Sequence, residues 1–128
     1  MTERIDYLNI GDLINIGSAL IPDFRIRDSG LLESACHRPK ARFFGDEAYP
    51  DFASKVAALV HSLARNHALI DGNKRLAWAA ARTFCLMNGY DIQMTIDAAE
   101  QLIVSAATGK NDVSALAAIL NEVIIIDK

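Results

Sequence analysis

An all-α fold is what the sequence predicts, and three observations predict it. Apolar residues recur at spacings of three and four along most of the chain, the period of a helix with one buried face. Residues that cap helices stand just ahead of those runs: Asp28, Asp51, Thr95, and Asn111 or Asp112. All three prolines, Pro22, Pro39 and Pro50, fall in the first 50 residues, so none breaks a helix between Asp51 and Leu120.

The elements follow in order. Ile10, Leu13, Ile14, Ala19 and Leu20 predict a first helix ending before Pro22. Asp28 caps a short second helix that carries Leu31, Leu32 and Ala35. His37 to Gly45 has no helical period and reads as an extended segment, with four basic or titratable side chains beside two aromatics. Asp51 caps a third helix whose inner face is Phe52, Val56, Leu59, Val60 and Leu63. The fourth helix starts near Gly72 or Asn73 and runs to Asn88, with Gly89 just past its end. Leu76, Ala80, Phe84 and Met87 form one stripe on it, and Trp78, Ala81 and Cys85 lie off that stripe. A helix apolar on so many sides is expected to be central, with Trp78 packed into the core. Thr95 caps a fifth helix through Leu102 and Val104 to Gly109. Asn111 or Asp112 caps a sixth, with Val113, Leu116, Ile119 and Leu120 inward. Val123-Ile124-Ile125-Ile126 is β-branched and leaves three options: more helix, an edge strand or a partner contact.

Composition bounds the function. At 128 residues the chain is expected to form a single domain over residues 1–128, burying roughly 65–70% of its unfolded surface. With 52% apolar and 23% charged residues it is no disordered chain. A net charge of −3 and a pI near 5.5 argue against general nucleic-acid binding. No apolar run approaches the roughly 18 residues of a membrane span, and Met1-Thr2-Glu3-Arg4 leads into no signal-peptide core. Cys36 and Cys85 make no disulfide framework, so a cytoplasmic location is expected. His61 and His67 do not share a helix face, and Val104 stands where a phosphate loop ending at Gly109-Lys110 needs its upstream glycine. Neither a zinc pair nor that loop is expected.

One stretch breaks the apolar pattern. In Arg65-Asn66-His67-Ala68-Leu69-Ile70-Asp71-Gly72-Asn73-Lys74-Arg75, seven of eleven side chains are strongly polar, and they feed a helix start. The first turn of a helix leaves N–H groups unpaired at the positive end of its dipole, which suits an anion. Gly72 allows close approach to the backbone. Lys74 and Arg75 put cations where the dipole disfavours them, which argues for a phosphate between. Asp71 is a hard oxygen ligand suited to Mg²⁺ shared with phosphate oxygens. His67 is an imidazole four residues earlier, the side chain suited to general-base work near neutrality. Each residue alone is better explained as turn, cap or solvated surface; together in nine positions they favour a site.

His67 to Arg75, HALIDGNKR, resembles the signature of the Fic/death-on-curing (Fido) family. That pattern is a histidine, an apolar or aromatic residue two on, an acid, a small residue, Asn, Gly or Lys, and Arg. Asp28-Ser29-Gly30-Leu31-Leu32-Glu33-Ser34-Ala35 and the Phe43-Phe44-Gly45 to Tyr49-Pro50 segment resemble the death-on-curing branch, as do the compact length and the six helices. The resemblance covers most of the chain.

It implies a compact six-helix Fic/Doc core with an extended flap before the third helix. It implies that His67 takes a proton from a target hydroxyl, and that Lys74 takes part in catalysis. Asp71 would hold Mg²⁺, and Gly72, Asn73, Lys74 and Arg75 would hold the phosphates of ATP, with Asn73 and Arg75 in direct contact. Arg38, Lys40, Ala41, Arg42 and Phe43 would form the flap on which a target segment docks in extended form; a plain solvated loop is the equal alternative. Two departures matter. AMP-transferring members carry Gly where Lys74 stands, so the nucleotide is expected to sit differently, which favours the death-on-curing branch. Leu69 stands where Phe is commonest, one apolar anchor for another. That branch transfers the γ-phosphoryl group of ATP to a Thr of a translation elongation factor, and its toxins pair with an antitoxin whose disordered tail folds into a groove. Nucleotidyl transfer from the same site, and an inactive binding module, are the competing readings.

Overall fold

A computed structural model describes residues 4–128. The start of the chain, Met1 to Glu3, read above as charged and leaderless, lies outside the described residues. Six helices dominate, as the apolar period predicts. Helix α1 (Ile10–Leu20) starts at a reciprocal cap: Asn9 Oδ1 accepts from the Asp12 N–H at 2.9 Å, and Asp12 Oδ2 accepts from the Asn9 N–H at 2.9 Å. Its buried face is Leu13 and Gly17, not the Ala19–Leu20 end, which is exposed. Gly17 has no side chain because the Phe24 ring fills that place; a Cβ would lie 2.3 Å from it.

Asp28 caps α2 (Ser29–His37) as expected, and Leu32, Ala35 and Cys36 turn inward. The next segment departs from the sequence reading. Arg38–Lys40 is a 3-10 turn, with Pro39 buried at its start. Only beyond it does the chain extend, into a short antiparallel hairpin of β1 (Arg42–Phe43) and β2 (Asp46–Glu47). Phe44 and Gly45 close the turn, both with positive φ. The flap is therefore an anchored turn followed by a hairpin, because Pro39 pre-sets a helical φ at the point where extension was expected.

Helix α3 (Phe52–Arg65), capped by Asp51, is the central element and packs against α2, α4, α5 and α6. It is buried almost all round, with Ala53, Ala57, Ala58 and Ala64 enclosed beside the expected apolar face. This corrects the expectation that the fourth helix holds the centre. Alanines carry little hydropathic signal, yet they let neighbouring helices approach closely. Helix α4 (Asn73–Met87) buries Leu76, Ala77, Ala80, Ala81, Phe84 and Cys85 but exposes Met87, while Trp78 is half-buried. The strand β3 (Tyr90–Ile92) follows. Helix α5 (Ile96–Ala107) is capped by Thr95. Asp112, not Asn111, caps α6 (Val113–Val123), its side chain accepting from the Ala115 N–H at 2.9 Å. On α6 Leu116 and Leu120 are buried, whereas Ile119 faces outward at 38% exposure, against the sequence reading.

The Ile-rich tail forms a strand. β4 (Ile124–Ile126) pairs antiparallel with β3, Tyr90 opposite Ile126 and Ile92 opposite Ile124. One cluster of buried side chains runs from Leu8 to Leu120. Phe84 sits inside it with ring centroids 5.9 Å from Tyr7 and 5.1 Å from Phe52. Each fully buried leucine in such a core contributes about 1.5–3 kcal/mol of transfer free energy, which is what holds the loop between α3 and α4 on a rigid base.

Candidate functional site

That loop, Asn66 to Gly72, carries the polar motif. Its main chain is held from both sides. On one side the segment before α2 pairs with it: Ile70 N–H donates to Arg25 O at 3.0 Å, and the Arg27 and Asp28 N–H groups donate to Ala68 O at 2.8 and 3.0 Å. The Arg27 guanidinium reaches further, Nε to His67 O at 2.7 Å and Nη2 to Asn66 O at 3.3 Å. On the other side Asn73 folds back: Leu69 N–H donates to Asn73 Oδ1 at 2.9 Å, and Asn73 Nδ2 donates to Leu69 O at 3.0 Å. Ala68 and Leu69 are buried as anchors, while His67 and Asp71 stand exposed. His67 has φ +53, in the left-handed region that a non-glycine residue seldom enters.

Gly72 is the N-cap of α4, with φ +87 and no side-chain cap on the helix start. A Cβ there would meet Ile21 at 2.8 Å, so the position demands glycine twice over. Leu76 N–H is the first of the helix to find an intrahelical partner, the Gly72 carbonyl at 2.9 Å. The N–H groups of Asn73, Lys74 and Arg75 have no partner among the described residues. Three unpaired donors, the helix dipole and two exposed cations thus point the same way.

A cleft of about 1050 Å³ opens over this turn. Its lining joins the polar side chains of His67, Asp71, Asn73, Lys74 and Arg75 with the apolar ones of Trp78, Met94, Ile96 and Ile103. Trp78, expected in the core, has one face on it and one on the cleft. A smaller hollow of about 460 Å³ runs along α5 past Asp97, Gln101 and Lys110. It holds no residue of the motif.

All six motif residues from His67 to Arg75 that were singled out therefore share one cleft. Asn73 also has a partner within the loop. Its side-chain amide is spent on Leu69, so what it offers an anion is its main-chain N–H. Asp71 Oδ1 accepts from the Gly72 N–H at 2.9 Å, and its other oxygen has no partner among the described residues. No cluster of three or more metal-ligating side chains occurs among the described residues. One carboxylate with a free oxygen fits Mg²⁺ that brings phosphate oxygens and water as its remaining ligands.

The flap residues do not line the cleft. Arg38 turns inward instead: Nε donates to Tyr49 Oη at 3.0 Å, and Nη1 donates to His61 Nδ1 at 2.8 Å and to Ser62 Oγ at 3.1 Å. A guanidinium only donates, so Nδ1 of His61 accepts and the neutral ring carries its proton on Nε2. Burial, then the charges of Arg38 and Arg65, push the His61 pKa down. Lys40 lies over the Tyr7 ring at 5.7 Å, and Arg42 donates to Gly45 O at 2.8 Å within the hairpin. Ala41 is half-buried; Phe43 and its neighbour Phe44 stand out in solvent. Of the five expected docking residues, Arg38 is an internal anchor, and Arg42 and Phe43 present themselves outward.

Sequence reasoning missed two residues that shape this region. Arg27 holds the His67 loop from 40 positions away, and no local pattern marks such a contact. Lys55 is 2% exposed on α3, its Nζ donating to Glu47 Oε1 at 2.9 Å and to Tyr49 O at 2.5 Å. That contact holds the Glu47 carboxyl below its usual range and ties the hairpin to the central helix. A lysine on the apolar face of α3 was the available signal.

A family model described as the Fic/DOC family matches residues 7–85. Toxin Doc of Mycolicibacterium smegmatis is 47% identical over 116 residues, which span 88% of this chain and 89% of that protein.

Proposed function

This chain belongs to the Fic/DOC family, and from that premise we propose that it is the toxin of a toxin–antitoxin pair, transferring the γ-phosphoryl group of ATP to a Ser or Thr hydroxyl of a translation elongation factor. The observation that supports phosphoryl transfer is Lys74, a cation in the first turn of α4 beside three unpaired N–H groups. It adds a charge where the terminal phosphates of a nucleotide meet the helix start. Arg75 shares that turn and neutralises a further oxygen.

The chemistry of the step balances simply. His67 accepts the proton of the target hydroxyl as the hydroxyl oxygen bonds to the γ-phosphorus. The bond from that phosphorus to the β–γ bridging oxygen breaks, and ADP leaves with the electron pair. Little covalent work falls to the protein, so positioning and charge neutralisation carry most of the rate. Mg²⁺ held by Asp71 and the phosphate oxygens would neutralise charge on the transferred group. The β1–β2 hairpin, with Phe43 and Phe44 exposed, would dock the target segment by strand addition. The apolar part of the cleft lining, Trp78, Met94, Ile96 and Ile103, suits the folded tail of an antitoxin. The whole chain would act as one domain in the cytoplasm; no helix among the described residues is long and apolar enough to cross a membrane.

The test uses ATP labelled at either the α- or the γ-phosphate, Mg²⁺ and bacterial lysate, beside His67→Ala. Label on a lysate protein from the γ sample alone, lost with His67→Ala, is the expected result. Label from the α sample would replace phosphoryl with nucleotidyl transfer. An absence of His67-dependent label from both would leave a binding module.

A further inference from the structure

We propose that Arg27 is a positioning residue for His67, an inference that rests on the reading of His67 as the base. The loop that presents His67 has four consecutive carbonyls held by hydrogen bonds, Ala68 O by the Asp28 N–H as well as by Arg27. Arg27 takes three of them: Asn66 O through Nη2, His67 O through Nε at 2.7 Å, and Ala68 O through its own main-chain N–H at 2.8 Å. Asn73 takes the fourth, Leu69 O at 3.0 Å, and the Leu69 N–H as well.

This pattern sets Arg27 apart from an ordinary surface arginine. Its guanidinium makes no salt bridge among the described residues; its side-chain donors go to the two carbonyls that bracket the His67 peptide unit. Fixing those two carbonyls fixes the peptide planes before and after the His67 Cα. The Cα–Cβ direction, from which the imidazole reaches into the cleft, follows from those planes. The need is real because His67 holds φ +53, a backbone state that a residue with a Cβ leaves readily unless its surroundings over-determine it. A planar fork with donors at fixed angles suits two neighbouring carbonyls, and an ammonium does not match it. Arg27 touches neither nucleotide nor target in this reading, so it acts through His67.

The test measures Arg27→Gln and Arg27→Lys beside the wild type, with kcat, KM for ATP, helical circular dichroism and amide exchange at Leu69 and Ile70. Small misplacement of a reacting group costs up to about 100-fold in rate, so kcat of Arg27→Gln is expected to fall about 10- to 100-fold, with KM for ATP and helical signal unchanged. Arg27→Lys, which keeps one donor, is expected to recover part of the loss. Amide exchange at Leu69 and Ile70 is expected to quicken about tenfold as the loop loosens. Wild-type kcat in a folded Arg27→Gln protein overturns the proposal, as does unchanged exchange. Loss of fold in both variants also overturns it, since Arg27 would then serve the fold rather than the aim of His67. If the wild type shows no His67-dependent transfer, the reading of the base fails, and the exchange rates alone decide whether Arg27 orders the loop.

Discussion

Replacing Asn73 with alanine separates two roles that look alike in the motif. A residue that only contacts phosphate is dispensable to the ligand-free fold. Asn73 instead pairs both main-chain groups of Leu69, at 2.9 and 3.0 Å, and Leu69 is 1% exposed. Truncation leaves that N–H and C=O without partners, at about 1–3 kcal/mol each. The lower half of that range applies, because Asn73 itself is only half-buried and water can reach part of the gap. Alanine returns about 0.5 kcal/mol of helix propensity at the first position of α4. The net expectation is a loss of about 1.5–3.5 kcal/mol, or roughly 10 °C in Tm for a chain of this size. Urea denaturation followed by circular dichroism, without nucleotide, measures it. Asn73→Asp is the companion variant: it keeps the acceptor for Leu69 N–H but sets a carboxylate oxygen against Leu69 O, and so is expected to remain destabilised. An Asn73→Ala protein within about 0.5 kcal/mol of wild type, the range of neutral surface substitutions, would refute the argument and return Asn73 to direct phosphate contact.

Two further outcomes follow from the geometry around the cleft. Gly72→Ala places a Cβ at φ +87 and 2.8 Å from Ile21, so it is expected to cost about 1–3 kcal/mol and to weaken nucleotide binding by shifting the start of α4; a thermal melt and an ATP titration check both. His61 gives the fold a pH dependence. Its pKa is lowered by burial first and by Arg38 and Arg65 next, against a smaller raising by Asp112. Below its ordinary value of 6.5 the unfolded chain therefore binds more protons than the folded one, so stability present above that pH is lost as the pH falls through and below it. Denaturant midpoints at pH 8 and pH 5.5 should differ in that direction, and His61→Gln should shrink the difference.

Much of the helical layout was legible because period and caps are local. Asp28, Asp51, Thr95 and Asp112 each sit where their side chains accept from an N–H three residues on, and that geometry is written within a single turn. The flap was less legible. Its basic residues read equally as a docking surface or a solvated loop, but Arg38 satisfies Tyr49, His61 and Ser62 inside the protein. A guanidinium outside and one turned inward look the same in a string of letters. The tail was similar: three isoleucines suit helix, strand or partner, and only the neighbouring Tyr90–Ile92 chose strand.

By itself the sequence determined six helices, the side-chain caps of α2, α3 and α5, and the place of the polar motif at a helix start, since these depend on residues within a few positions of each other. Only the tertiary structure decided that α3 is the central helix, that Asn73 serves Leu69, and that Arg27 grips the loop bearing His67. Those contacts join parts of the chain that are distant in order, and a side chain's partner is chosen by which main-chain groups the packed helices leave within its reach.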